Sequence, residues 1–381
     1  MLQCFWECQD WPNFRWDSEI LLKPLSDVRK GQYGFLRAIE ELGFEDNLNA
    51  HAVALEEDAI QTAAIEGERL DRQGVRSSIA NRLGIPVAGL RGADRRVDGL
   101  VEVLLDATHN YERPLDKERL CCWHTKLFPL GRSGLYDITM GAWRVTPMQV
   151  VSGAYGKQKT HFDAPPPERL DVEMNSFLDW LKESRANLDG VIRAALAHLR
   201  FVTIHPFDDG NGRLARAVAD MALAQDENCD RRYYSLSSQF MKERSVYYNI
   251  LEKTQKGNGD CTEWLLWFIK CLNSAIEEAE ATLRDILFKA KFWKRHVETT
   301  VNERQRKVLN ALLDAGAGKF EGGLTTRKYV SMTKTSRATA WREIEDMIRK
   351  KMIRPLPGSG RNTAYEIEDR LALILDIKSP Q

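Results

Sequence analysis

The sequence predicts a mainly α-helical protein, and three observations carry that expectation. Apolar residues recur at helical spacing through most of the 381 residues. Only residues 129–170 break that rhythm, with Gly131, Gly134 and Gly141 followed by a short run of extended character. The last eighty residues change character again, from long helical periods to short ones followed by a Pro- and Gly-rich segment. The length suggests two or three domains, with expected boundaries at 1–85, 86–295 and 300–381. Apolar residues make up 43% of the chain, enough for real cores, and the 55 basic residues balance the 55 acidic ones. No net field therefore favours nucleic acid or an acidic surface. The sequence has no apolar run of membrane length and no signal-peptide pattern. Its seven scattered cysteines suit a reduced, cytoplasmic protein.

Residues 1–30 are expected to form a turn between short extended pieces, with Trp6, Trp11 and Trp16 packing on the core. A helix carrying Tyr33, Phe35, Leu36 and Ile39 should end near Gly43. A second begins at 46–49 and runs through Val53, Leu55, Ala59 and Ile60 towards Gly67, a helix stop. Pro86 and Gly89 mark a loop. Helices then span 94–111 and 116–128. Trp143 to Val151 reads as two short strands about Pro147, and His161 reads as structural. Another helix follows through Val172, Phe177 and Leu181.

The most informative stretch is His205-Pro-Phe-Asp-Asp-Gly-Asn-Gly-Arg-Leu-Ala-Arg216. Helical patterns flank it: Leu188 to Thr203, capped by Asn187 or Asp189, and Leu214 to Ala222. Pro206 disfavours the α region at His205, so the first helix should end there. Gly210, Asn211 and Gly212 then lead into a helix N-terminus, where free N–H groups and the helix dipole attract anions. Arg213 and Arg216 share a face of the first turn and suit a polyphosphate. Asp209 is a hard oxygen ligand suited to Mg²⁺. His205, with an ordinary pKa of about 6.5, suits a general base.

These residues closely resemble the signature of the Fic family of AMP-transferring enzymes. The resemblance implies an α-helical core with a β-hairpin flap, which binds Mg-ATP and moves AMP to Ser, Thr or Tyr hydroxyls of target proteins and of itself. It implies His205 as the catalytic base and Asp209 as the metal ligand. Gly210, Asn211 and Gly212 would form the anion hole, and Arg213 and Arg216 would hold the outer phosphates. Upstream, Thr62-Ala-Ala-Ile-Glu66-Gly67 resembles the inhibitory helix of self-restrained members, with Glu66 pairing with Arg216 in the seat of the γ-phosphate. Gln149, Val150, Val151 and Ser152 would belong to the flap that docks the target by strand addition. Residues 240–251 resemble the helix bordering the adenine and ribose, where Tyr248 or Asn249 is the candidate.

A long helix should follow from Trp264 to about Lys294. Beyond residue 300, helices at 303–315, 325–331 and 336–352 and a segment from Pro355 to Ile367 form a winged-helix pattern. Arg337, Thr339, Arg342 and Arg361 would face DNA. Glu343, Glu345 and Asp346 on the same helix weigh against DNA and leave a protein-binding or homodimer-forming role open. Two other functions compete with AMP transfer. One is a Fic enzyme transferring or removing another phosphate-containing group, although Gly212 argues against the phosphorylating branch. The other is a transcription regulator whose nucleotide site is only a sensor.

Overall fold

The computed structural model describes residues 4–40, 42–85, 92, 94–152, 159–315, 320, 322–356 and 363–368. The described residues are mostly helical, with short two-stranded antiparallel sheets. They divide into two compact units, residues 1–279 and 280–381.

In the first unit a 3₁₀ turn (Phe5–Glu7) precedes α1 (Ser18–Glu40), α2 (Phe44–Ile65), α3 (Arg72–Leu83), α4 (Arg95–His109) and α5 (Lys117–Leu127). The small hairpin β1 (Arg132–Ser133) with β2 (Tyr136–Asp137) comes next, then a second hairpin, β3 (Gln149–Ser152) with β4 (Lys159–Asp163). The helices α6 (Leu170–Glu183), α7 (Gly190–Ile204), α8 (Asn211–Glu227), α9 (Leu236–Lys242) and α10 (Arg244–Gln255) complete it, together with the start of α11 (Thr262–Arg295).

The pair α7 and α8 forms the centre. Every residue from Val191 to Ile204 is buried, as are Leu214 to Ala224, so both helices are apolar around most of their circumference, as core helices must be. Asp189 caps α7 by accepting from the N–H groups of Val191 and Ile192. Around this pair, α2 packs on α8, α9 and α3, and α4 packs on α5 and α8. Gly99 lets α4 and α5 touch, because a Cβ there would lie 1.8 Å from the Lys126 carbonyl oxygen. An aromatic cluster of His198, Phe240, Tyr247, Trp264 and Trp267 joins α7 to α9, α10 and α11.

Two expectations need correction. The first long helix starts at Ser18 rather than near residue 31, with Pro24 inside it. Its buried positions Leu21, Val28, Gln32, Phe35 and Ile39 make one stripe, and burial of that stripe outweighs the local disruption by proline. Tyr33, expected on that stripe, is exposed. Secondly, Trp143 to Thr146 is not a strand: the partner of β3 is β4, with a register shift between Val150 and Val151. Trp143 packs edge-on against Phe207, and the buried Arg144 bonds to backbone carbonyls. Those contacts replace strand pairing.

Among the described residues no helix is long and apolar enough to cross a membrane.

In the second unit α12 (Glu303–Asp314), α13 (Thr326–Thr333) and α14 (Arg337–Arg349) precede β5 (Ile353–Pro355) and its antiparallel partner β6 (Tyr365–Ile367). Leu324 bridges to Tyr365, adding a third short extended segment. Phe292, Val308, Leu309, Leu324, Tyr329, Ile344, Met347 and Ile353 are buried together in its core. Arg361 lies outside the described residues, as do Pro86 and Gly89.

Candidate active site

The site is built where α7 ends and α8 begins. His205 ends α7 in the left-handed conformation, φ 52° and ψ 59°. That backbone state costs a non-glycine residue on the order of 1–3 kcal/mol and needs its surroundings to hold it. Here the surroundings do so: the His205 N–H donates to the Phe201 carbonyl, and its own carbonyl accepts from Arg144 Nε at 2.8 Å. The imidazole Nδ1 lies 3.1 Å from the Val202 carbonyl, which can only accept. Nδ1 therefore carries the proton, and Nε2 is left with the lone pair a base requires. Burial, the largest cause, and the nearby Arg144 hold the imidazole below its ordinary pKa, so it stays neutral.

The loop after it is closed by one side chain. The Asn211 amide accepts from the Phe207 N–H at 3.0 Å and donates to the Phe207 carbonyl at 2.8 Å. This leaves the N–H groups at the start of α8, rather than the Asn211 side chain, to meet an anion. Gly210 is required: its φ is 80°, and a Cβ would lie 2.7 Å from the Phe128 ring. His124 stacks on Phe207 at 4.2 Å. Its Nδ1 accepts from the Gly141 N–H, and its Nε2–H donates to the Asp209 carbonyl at 3.2 Å. Burial lowers the His124 pKa to about 4, so this neutral form is the one that props the loop.

The Asp209 carboxylate accepts from the Gly210 N–H at 2.6 Å and from the Ser133 hydroxyl of the first hairpin. Among the described residues no three metal-binding side chains converge. A single carboxylate beside an anion loop fits Mg²⁺ that takes its remaining ligands from phosphate and water, and does not fit an all-protein metal cage.

The two arginines are already engaged. Arg216 is buried. Its Nε donates to the Thr62 hydroxyl at 2.7 Å, and one terminal nitrogen donates to the Thr62 carbonyl at 3.0 Å and to Glu66 Oε1 at 2.8 Å. Its other terminal nitrogen is buried, with no hydrogen-bond partner among the described residues. Burial opposes the charge on Arg216, but the Glu66 carboxylate together with the neighbouring Tyr247 and Tyr248 outweighs it and raises the pKa. Glu66 also lies over the anion loop, since a Cβ on Gly212 would fall 2.3 Å from Glu66 Oε1. Arg213 pairs with Glu68 at 3.3 Å and stacks over the Phe128 ring. The last turn of α2 is pinned from α10, with Arg244 Nε 2.7 Å and the Tyr248 hydroxyl 3.3 Å from the Ile65 carbonyl.

The structure thus brings His205, Asp209, Gly210, Asn211, Gly212, Arg213, Arg216 and Glu66 into one site. Tyr248 stands at the end of α2, and Asn249 is exposed beside it. In the flap, Val150 packs towards Cys4, Trp6 and Phe162, while Val151 on the opposite face is exposed. The Trp6 indole donates to the Asp163 carbonyl and braces the hairpin. Arg144, His124, Ser133, Glu68 and Arg244 were not anticipated. Each acts through a contact distant in sequence, and no local spacing announces it.

Residues 114–223 match the family model described as Fic/DOC family, and residues 5–85 match a domain of unknown function, DUF4172. The chain contains a Fic/DOC-family domain. Its relatives include protein adenylyltransferase fic-1 of Caenorhabditis elegans, 28% identical over 203 residues, covering 49% of this chain and 37% of that protein. Protein adenylyltransferase Fic of Nematostella vectensis is 33% identical over 30% of this chain and 25% of its own length. A uridine 5'-monophosphate transferase of Xanthomonas campestris is 48% identical over 65 residues, 16% of this chain and 12% of that protein. The matches thus span little more than a third of these relatives' length at most. Among solved structures, a Fic family protein from Desulfovibrio desulfuricans superposes with TM-score 0.53 at 19% identity, over 92% of this chain and 96% of its own. A Fic domain signalling protein from Bacteroides thetaiotaomicron gives 0.51 at 22%, over 70% and 97%. At these identities the two structures share the fold.

Proposed function

We propose that this chain is a protein adenylyltransferase that uses Mg-ATP and is held in a restrained state by Glu66. One observation carries the reading: the Glu66 carboxylate sits on Arg216 and over Gly212, beside a loop whose other end presents a neutral histidine. A carboxylate on that guanidinium competes with a phosphate for the same donors. In transfer, His205 Nε2 takes the proton of a target Ser, Thr or Tyr hydroxyl. The hydroxyl oxygen forms a bond to the α-phosphorus as the bond to the β-phosphate breaks, and pyrophosphate leaves. The N–H groups at the start of α8 and the released Arg213 and Arg216 hold the phosphates. Asp209 would hold Mg²⁺, which supplies charge neutralisation on the phosphates when bound. The flap from Gln149 to Ser152 aligns the target strand, and Tyr248 and Asn249 border the nucleoside.

The test is mass spectrometry for added AMP after incubation with Mg-ATP. Glu66→Gly is expected to label itself more strongly than wild type, and Glu66→Gly with His205→Ala not at all. Equal labelling of wild type and Glu66→Gly at saturating ATP would remove the restraint and leave the transfer reaction standing. The likeness to a UMP transferase favours one second reading, transfer of UMP. Parallel incubation with UTP separates the two by the mass added.

A further inference from the structure

We propose that the C-terminal unit binds double-stranded DNA through the outward face of α14. The balance of charge over the whole chain conceals a division between the units. Residues 280–381 contain 21 Lys and Arg against 13 Asp and Glu, a net of +8, so residues 1–279 carry the compensating −8. Charge divided in this way gives one unit a field that attracts a polyanion and the other a field that repels it.

The folded unit also removes the objection raised by the acidic residues of α14. Glu343 is buried and turned inward, where it accepts from the Tyr329 hydroxyl at 2.7 Å, from Asn302 at 2.8 Å and from Arg304. Asp346 accepts from Gln305 at 2.9 Å and pairs with Lys350. Neither carboxylate is left to repel a phosphate. The residues facing solvent are Arg337, Ala338, Trp341, Arg342, Glu345 and Arg349, the last within 3.8 Å of Asp346, opposite the buried Ala340, Ile344 and Met347. Among the described residues nothing pairs with Arg337, Arg342 or Glu345. Two guanidiniums therefore share a face with an indole that is 54% exposed, a large apolar surface left uncovered among the described residues. The second helix of a helix-turn-helix is the one that enters a major groove. Arginine there reads guanine or grips phosphate, and an apolar side chain meets thymine methyl groups. The net charge selects DNA over a protein partner for this face.

The test uses the full-length protein and a fluorescent mixed-sequence duplex, read by anisotropy at about 50 to about 200 mM salt. Wild type is expected to bind with a steep salt dependence. Arg337→Ala with Arg342→Ala should bind more weakly, with the slope of log affinity against log salt shallower by about 1.8 for two lost phosphate contacts. Glu345→Lys removes the one repelling charge on the face and should tighten binding, a gain that misfolding cannot produce. No duplex binding at the lowest salt, an unchanged affinity in Glu345→Lys, or a preference for single-stranded RNA would overturn the proposal. So would concentration-dependent dimerisation lost in Trp341→Ala, since the face would then be covered by a second copy of the chain.

Discussion

His205 is chemically defined by one carbonyl. Because Val202 accepts from Nδ1, the tautomer is fixed and Nε2 keeps the lone pair that the proposed base needs. His205→Ala should retain ATP binding and lose about 10²–10⁴ in transfer rate, compared by nucleotide titration and labelling. Burial holds the imidazole pKa below its ordinary value of about 6.5. The base is therefore active above that lowered pKa, and transfer by Glu66→Gly should decline only as pH falls beneath the usual histidine range; a decline centred above 6.5 would contradict the geometry. Glu68 occupies Arg213 as Glu66 occupies Arg216, but it is partly exposed and makes a single long contact. Glu68→Gln should increase self-labelling less than Glu66→Gly, and the double variant should exceed both. The same residue scale shows what the sequence concealed. Glu68 and Arg213 are 145 residues apart, and Arg144 and His205 are 61 apart. A glutamate or arginine of this kind looks like a solvated charge until its partner is known.

At the scale of elements, the proposed restraint is the final turn of α2, held at the Ile65 carbonyl by Arg244 and Tyr248 and at Thr62 by Arg216. The motif from Thr62 to Gly67 stands out in the sequence only by its resemblance to an inhibitory helix; in the fold Thr62 and Glu66, one helical turn apart, both bond to Arg216. A bias of about 2–3 kcal/mol towards this arrangement would hide activity about 30- to 150-fold. Arg244→Ala should therefore loosen the turn and raise self-labelling even though it leaves Glu66 in place. Unchanged labelling would mean that the turn needs no support from α10. On the opposite side of the loop, α5 carries His124 and depends on the contact made possible by Gly99. Gly99→Ala forces a methyl group into the Lys126 carbonyl, an overpacking worth about 1–3 kcal/mol, and should lower the melting temperature. The flap illustrates a different limit. Val150 and Val151 were recognisable as strand residues, but which stretch pairs with them depends on Arg144 bonding to carbonyls on both sides of the hairpin. A local pattern carries no information about such bonds.

Over the whole molecule, the two units are expected to divide the work. A chain ending after residue 299 should keep nucleotide binding and self-labelling and lose duplex binding; loss of labelling in a folded truncation would show that the C-terminal unit supports the chemistry. The sequence by itself determined the helical class and the loop from His205 to Arg216. It did so because helices follow a local period, and because an anion loop needs its glycines, amides and arginines within one turn of each other. Only the tertiary structure decided the tautomer of His205, the partners of both arginines, the pairing of the flap, and which acids of α14 face inward. Each of these depends on which side chain a distant segment brings to a buried donor or charge, where an unpaired group is costly and pairing is therefore decisive.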